Sequence, residues 1–206
     1  MYTSFLKRFF DFIFSFCGLV LLSPIILMVS LLLVFVNKGA GVFFYQNRPG
    51  KNEVLFKVLK FKSMTEECDK EGNLLPNAER LTNIGKFMRS TSIDELPQLW
   101  NIVQGDMSFI GPRPLLNRYL PYYNSTERKR HSLRPGITGL AQINGRNIID
   151  WDTRLALDVQ YVESISLKTD VKIVFKTIRN VVTAKDIVVD TNQELKDLDI
   201  ERQITS

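Results

Sequence analysis

The stretch Ser92-Ile93-Asp94-Glu95-Leu96-Pro97-Gln98 sets two carboxylates side by side at the expected start of a helix. A helix N-terminus carries positive partial charge and free N–H groups. An Asp there stays ionised and can act as a nucleophile or a Mg²⁺ ligand. Adjacent helical residues point about 100° apart, so Asp94 and Glu95 cannot share one role. A division between nucleophile and metal partner is one reading. The other is structural: Ser92-x-x-Glu95 spells a capping box, and Asp94 could itself cap.

The basic residues bear on that choice. Arg48, Arg113 and Arg134 each precede a proline, which holds them on extended backbone. An arginine preset in this way loses less freedom on gripping a phosphate. Arg89 lies shortly before Asp94, and Arg146 follows Asn144-Gly145. Each alone reads as a surface turn residue; several in one small domain fit a polyphosphate site. Asp150-Trp151-Asp152 spells the D-x-D pattern with which some nucleotide-sugar glycosyltransferases hold a metal, but it also precedes a helical stretch, where aspartates cap. Neither a P-loop nor a dinucleotide-binding glycine motif is present. His131 is the sole histidine and reads as a surface or packing residue. Its isolation removes a histidine zinc site and a Ser-His-Asp triad.

These residues need a scaffold. At 206 residues, with 45% hydrophobic and 24% charged residues, the chain can bury one real core. Its net charge of +5 (27 Lys+Arg, 22 Asp+Glu) favours an anionic partner: nucleic acid, acidic lipid or a phosphorylated substrate. Cys17 and Cys68 lie in unlike surroundings and form no disulfide framework, which fits a reducing cytoplasm.

Phe12 to Val36 is uncharged and about 25 residues long, too long for the core of a cleaved signal and readable as a retained anchor. No second run of that length is present, which excludes a multi-span transporter. Ser23-Pro24 breaks the run near its middle. Lys7 and Arg8 precede it, and Lys38, Arg48 and Lys51 follow. Basic flanks on both sides favour two cytoplasmic ends and a re-entrant hairpin; an ordinary Pro-kinked spanning helix is the alternative.

Val42–Tyr45 and Val54–Phe61 read as a β-hairpin around the turn chemistry of residues 47–52. Residues 66–80 read as a polar loop or short helix. Ile93, Leu96, Leu99, Trp100 and Val103 follow helical spacing, ended by Gly105-Asp106. Residues 111–114 form an extended loop, a helix runs through Leu116–His131, and residues 134–139 form a turn-rich loop. Thr153–Val162 is helical. Val171, Val174, Phe175, Ile178, Val181 and Val182 make an apolar stripe opposite Lys172, Lys176, Arg179 and Lys185. Such a helix either lies on an anionic membrane or packs on a core. The fold class expected is α+β and mostly helical, with a small β-hairpin and amphipathic surface helices. Its parts are a membrane hairpin at 1–38, a cytosolic catalytic domain at 39–185 and a polar tail at 186–206 that contributes no chemistry.

Asp94-Glu95-Leu96-Pro97-Gln98-Leu99, residues 105–114 (Gly-Asp-Met-Ser-Phe-Ile-Gly-Pro-Arg-Pro), residues 134–142 (Arg-Pro-Gly-Ile-Thr-Gly-Leu-Ala-Gln) and Asn144-Gly145-Arg146 are long, collinear and unusual. Together with Ser23-Pro24, residues 47–50 and residues 60–64, they closely resemble the bacterial sugar transferase family. Its small monotopic members are phosphoglycosyl transferases that initiate glycan assembly on polyprenol phosphate. The resemblance runs from about Lys7 to about Lys185. It implies a UDP-sugar donor, Mg²⁺ and undecaprenyl phosphate as acceptor, and no nucleic acid; whether the chain pairs with itself stays open. It implies that Asp94 attacks the sugar-linked phosphate, that UMP leaves, and that the lipid phosphate then takes the phospho-sugar from Asp94. Glu95 falls on the second acidic position, a metal or proton-handling partner. Lys60, Arg89, Arg113 and Arg146 fall on basic positions expected to meet phosphate. The broken helix at Ser23-Pro24 is expected to dip into one leaflet of the bacterial inner membrane from its cytoplasmic face. N-acetylated amino sugars are the expected donors and hexoses the alternative. Lys62 stands where many members carry Arg, which keeps charge but loses the bidentate fork, and it is given no role. Two other functions stay in view: a D-x-D glycosyltransferase releasing UDP, and an anchored module that binds anions without turnover.

Overall fold

The uncharged run folds as the body of one long helix, α1 (Lys7–Val36), in a computed structural model that describes residues 2–145, 149–183 and 197–204. Pro24 has no N–H to offer the Val20 carbonyl. The Ser23 hydroxyl takes its place, donating to that oxygen at 2.7 Å. Residues on both sides of Ser23-Pro24 belong to the same helix, which is long and apolar enough to cross a membrane.

One stripe of α1 is covered. Asp11, Ser15, Leu19, Leu22, Ile26, Val29 and Leu33 recur at helical period and face the body. The rest is bare: Leu21 and Phe35 are 77% and 79% exposed. Polar groups fix both ends. Arg8 donates to the Ile102 and Val103 carbonyls, the Asp11 carboxylate accepts from the Phe109 N–H at 3.1 Å, and the Asn37 amide donates to the Lys62 carbonyl at 2.9 Å.

β1 (Phe43–Pro49) and β2 (Leu55–Phe61) form the expected antiparallel hairpin, with Phe43 opposite Phe61 and Pro49 opposite Leu55. The turn is tighter than its composition suggests. Asn47, Arg48 and Pro49 pair within β1, and the reversal falls on residues 50–54, where Asn52 and Glu53 take positive φ. Proline is tolerated there because it ends the strand. Residues 66–80 form a loop that closes on the short α2 (Asn77–Arg80). Next comes α3 (Asn83–Thr91), capped by Thr82, whose hydroxyl accepts from the Gly85 N–H at 2.9 Å.

The helix expected from Asp94 onward is divided. Ile93–Glu95 is a 3₁₀ turn, and α4 (Gln98–Gln104) starts after Pro97 and ends at Gly105 with φ +96°. Proline supplies no N–H to bond back into the Ile93–Glu95 turn, which therefore winds separately. Trp100 is half exposed, and the buried face carries Leu99 and Ile102 instead. Asn101 couples α4 to β2: its side-chain oxygen accepts from the Leu59 N–H at 3.0 Å, and its amide donates to the Lys57 carbonyl at 2.8 Å.

β3 (Ser108–Ile110) and β4 (Gly136–Thr138) pair in parallel, so part of the expected 134–139 loop is strand. A Cβ on Gly136 would lie 2.1 Å from the Gly111 nitrogen; only glycine lets the two backbones cross this closely. The helix expected over Leu116–His131 is instead two 3₁₀ segments, Asn117–Tyr122 and Glu127–Ser132. Pro121 interrupts the donors. Asn124 and Glu127 then form a reciprocal cap, each side chain accepting from the other's N–H at 2.9 Å.

α5 (Leu140–Ile143), α6 (Trp151–Glu163) and α7 (Leu167–Val182) complete the body. α7 packs through Asp170 and Ile173 and leaves Val171, Val174, Phe175, Ile178 and Val181 exposed, which removes the core-packing alternative for its apolar stripe. Asp170 accepts from Lys7 at 2.7 Å, Tyr2 at 2.6 Å and Tyr161 at 2.7 Å, tying the start of α7 to the start of α1. Within the segment expected as a polar tail, α8 (Leu198–Ile204) docks on the body. Leu198 is fully buried among Leu115, Tyr119 and Trp151, and Arg202 pairs with Glu127 at 2.6 Å. The architecture is therefore mostly helical, with two small sheets among the described residues.

His131 is a packing residue rather than a surface one: it is 6% exposed, and burial beside Arg130 and Arg128 pushes its imidazole down to about 3. The unfolded chain therefore takes up a proton near pH 6.5 that the native chain refuses, and stability falls as pH drops below that point. At about pH 5 the loss from this one residue is about 2 kcal/mol. Unfolding of His131→Gln at about pH 5 and about pH 7.5 should show that part of the slope removed. An unchanged slope would mean that His131 charges as freely in the native state as in the unfolded chain.

Candidate active site

Ser92 ends α3 in the left-handed region (φ +58°), where its N–H reaches the Arg89 carbonyl, and it also opens the 3₁₀ turn. A non-glycine residue held there marks a backbone that the surroundings dictate. The surroundings are Ile93 and Leu96, which pack in one cluster with Val29, Leu33, Phe61 and Met88. With those two side chains turned inward, Asp94 and Glu95 face a cleft of about 900 Å³. The capping box does not form. Ser92 makes no capping hydrogen bond, and the Glu95 side chain reaches across to cations instead.

The two carboxylates have unlike surroundings. One oxygen of Glu95, Oε1, accepts from Lys60 Nζ at 2.7 Å and from Arg113 Nη2 at 2.8 Å. Burial alone would raise its pKa, but Arg113 and Lys60 overcome that and hold Glu95 well below the ordinary range. Asp94 has no hydrogen-bond donor among the described residues, and the Lys60 ammonium stands 3.9 Å away. Burial pushes Asp94 above the ordinary value; Lys60 opposes that shift and Glu95 adds to it. The helix-start argument, which keeps Asp94 simply ionised, therefore misses the desolvation. Glu95 is a clamped counter-ion, and Asp94 is a desolvated carboxylate with free lone pairs. A carboxylate so placed is not capping a helix and has an oxygen available to a ligand or a reacting phosphate.

Four elements bring the cations to this cleft. Lys60 projects from β2 and Arg113 from the loop after β3. Arg89 comes from the last turn of α3, where it donates to the Ser63 hydroxyl at 3.1 Å. Arg48 lines the cleft from β1, and burial beside Arg113 lowers it to about 10. Arg134 does not join them; it donates to the Gly105 carbonyl at 2.6 Å and closes the end of α4. Arg146 lies outside the described residues. Lys62 is held by the Ala40 carbonyl and Glu66 at the rim. The D-x-D residues do not converge: Asp150 caps α6 by accepting from the Thr153 N–H at 2.8 Å, Trp151 is buried, and Asp152 faces Arg202.

The polar residues that α5 and α6 bring to the cleft had no assigned role from sequence: Gln142 on α5, and Arg154 and Asp158 on α6. Gln142 sits inside a quoted motif and so carried a signal. Arg154 and Asp158 lie in an ordinary helix with none. Asp158 is held by Arg130, which also donates to the Arg113 carbonyl at 2.6 Å and so fixes the backbone that presents Arg113.

No cluster of three acidic, histidine or cysteine side chains that could hold a metal exists among the described residues. Mg²⁺ does not require one, since it binds through one or two carboxylates together with substrate phosphates and waters. Asp94, with Glu95 through its oxygen not engaged by the cations, fits that limited role.

The sequence matches the bacterial sugar transferase family over residues 2–184. The chain belongs to that family. It is 46% identical to an uncharacterized sugar transferase, EpsL, of Bacillus subtilis, over 88% of this chain and 90% of that one. It is 42% identical to a UDP-glucose:undecaprenyl-phosphate glucose-1-phosphate transferase of Klebsiella pneumoniae, over 84% of this chain and 39% of that protein. It is 38% identical to a UDP-N-acetylgalactosamine-undecaprenyl-phosphate N-acetylgalactosaminephosphotransferase of Aeromonas hydrophila, over 87% of this chain and 44% of that protein. The chain thus spans nearly the whole of the first relative and less than half of the other two.

Proposed function

We propose that this protein transfers a sugar 1-phosphate from a UDP-sugar to undecaprenyl phosphate, with release of UMP, as the membrane step that begins a polysaccharide. The observation that carries the reading is the unlike pair in the cleft: a buried Asp94 with no donor among the described residues beside a Glu95 held by two cations. In the first half-reaction an Asp94 oxygen attacks the phosphorus bonded to the sugar. The phosphoanhydride bond breaks, and the electron pair leaves with UMP. In the second, an oxygen of the lipid phosphate attacks that phosphorus, and the Asp94 carboxylate departs. Lys60, Arg113 and Arg89 line the same cleft and can offset the charge that builds on the phosphoryl oxygens. Mg²⁺, held by Asp94 and Glu95 with the diphosphate, would supply further neutralisation. An N-acetylated amino sugar is the proposed donor; hexose donors are the competing possibility.

The lipid acceptor requires the cleft to stand at the membrane surface, and α1 supports this. A 30-residue helix is about 45 Å long, and here the body covers one stripe of it from Asp11 to Leu33. A helix docked this way cannot cross a bilayer without drawing the polar body into hydrocarbon. We place α1 on the cytoplasmic side within one leaflet, bent at Ser23-Pro24, with the exposed face of α7 beside it. Ile93 and Leu96, which flank Asp94 and Glu95, share a cluster with Val29 and Leu33 of α1, and this supports a site close to that layer. Cysteine labels at positions 4 and 45 should both react only from the cytoplasmic side; reaction from opposite sides would establish a spanning helix. The activity is tested with a panel of UDP-sugars and undecaprenyl phosphate. Release of UMP is expected. Release of UDP would favour a glycosyltransferase, and binding without turnover would favour an anion-binding module.

A further inference from the structure

The cleft that holds Asp94 and Arg113 is also lined by residues of α5 and α6. Gln142 is one of them. It is 8% exposed, and neither its amide nitrogen nor its carbonyl oxygen has a hydrogen-bond partner among the described residues. Asp158, 1% exposed, is another; Arg130 satisfies its Oδ2, but its Oδ1 has no partner among the described residues. Leaving a buried amide and a carboxylate oxygen unpaired costs about 1–3 kcal/mol per group. Such groups at a cleft wall mark where a ligand completes the bonding. Arg154 lies 4.4 Å over the Trp151 ring beside them.

We propose that Gln142 and Asp158 form the subsite that reads the hydroxyl face of the transferred sugar, with Gln142 as its amide contact. The chemistry selects a sugar over a nucleobase. A pyranose offers several hydroxyls, each both donor and acceptor, which matches an amide next to a carboxylate. Uracil has two carbonyl oxygens and a single N–H, so a carboxylate wall would repel more of it than it binds. The Trp151 ring, at the start of α6, is buried in the core under Arg154 and is not part of the cleft lining. Phe44, which does line the cleft, is 41% exposed and offers a free ring. The proposal therefore gives the nucleoside to the exposed Phe44 ring, the sugar to Gln142 and the diphosphate to Lys60 and Arg113.

This inference rests on the transferase reading, and its test is separable from that reading. Gln142→Met keeps the side-chain volume and removes an unpaired amide, so the melting temperature should hold or rise. A packing role would make it fall. Binding is measured in an Asp94→Asn background, where no adduct can form, with UDP-glucose, UDP-N-acetylglucosamine and UMP as probes. Adding Gln142→Met should weaken the better of the two nucleotide sugars about tenfold, the equivalent of one lost hydrogen bond, while UMP changes less than about twofold. Equal weakening of UMP would move the residue to the nucleoside site and overturn the proposal. So would unchanged affinity for both sugars, or a lowered melting temperature with unchanged affinities. A transferase reading that failed would show instead as no UMP released by the unmodified protein, whatever the binding measurements gave.

Discussion

Asp94→Asn is expected to lower turnover by about 10³-fold or more and to leave the fold intact. The amide has nearly the same shape but no anionic oxygen with which to displace UMP, so the first half-reaction stops. No stability should be lost. Asp94 has no hydrogen-bond donor among the described residues, and burial already disfavours its charge. A neutral amide removes that penalty and leaves the Lys60–Glu95–Arg113 contacts in place. The measurement is UMP release with donor and lipid acceptor, alongside a melting curve. A variant with most of its activity intact would show that the nucleophile lies elsewhere. Loss of activity with loss of the fold would show that Asp94 is a structural residue.

Arg130→Met destabilises the protein by about 3–5 kcal/mol, the typical result of leaving a buried carboxylate unpaired. The Arg130 side chain is 1% exposed. It donates to Asp158 Oδ2 from Nε at 3.0 Å and from Nη2 at 2.7 Å. Removing the guanidinium strands the Asp158 charge, whose pKa burial already raises despite Arg130. For a carboxylate raised in the native state, the destabilisation grows as pH rises through its pKa and shrinks as pH falls below it. The deficit of Arg130→Met should therefore narrow in acid. The double variant Arg130→Met, Asp158→Leu should recover much of the stability, since an apolar pair of similar volume often substitutes for a buried ion pair. A loss under about 1 kcal/mol at neutral pH would mean that the pair is solvated in the native state.

Several of these features could be read before any coordinates, and the reason is local. The β-hairpin announces itself through β-formers around Asn47–Asn52, and α6 and α7 through helical period, because these elements are set by neighbouring residues. The acidic pair and the proline-stiffened arginines were visible as types, but their convergence was not. Arg48, Arg113 and Arg134 carry the same local signature, yet Arg134 closes a helix while the other two line the cleft. Leu116–His131 misled because its apolar spacing is helical while Pro121 and the Asn124–Glu127 cap, each a single-residue effect, divide it. The parallel pairing of β3 with β4 depends on glycines meeting across residues 111 and 136, a long-range contact with no periodic trace. α8 shows the same limit. Its sequence is polar, and its docking rests on Leu198 and Arg202 finding partners far away in the chain. Arg154 and Asp158 were invisible because a charged residue on a helix looks alike whether it faces water or a cleft.

The central claim is that the phospho-sugar rests covalently on one carboxylate. It is tested most directly by incubating the protein with UDP-sugar alone, omitting the lipid, and analysing it by mass spectrometry under conditions that preserve acyl phosphates. The account predicts a sugar-phosphate adduct on the peptide carrying Asp94, formed with release of UMP, absent from Asp94→Asn and discharged on adding undecaprenyl phosphate. An enzyme that turns over fully while Asp94 is never modified, or one that carries the adduct on a different residue, would contradict it.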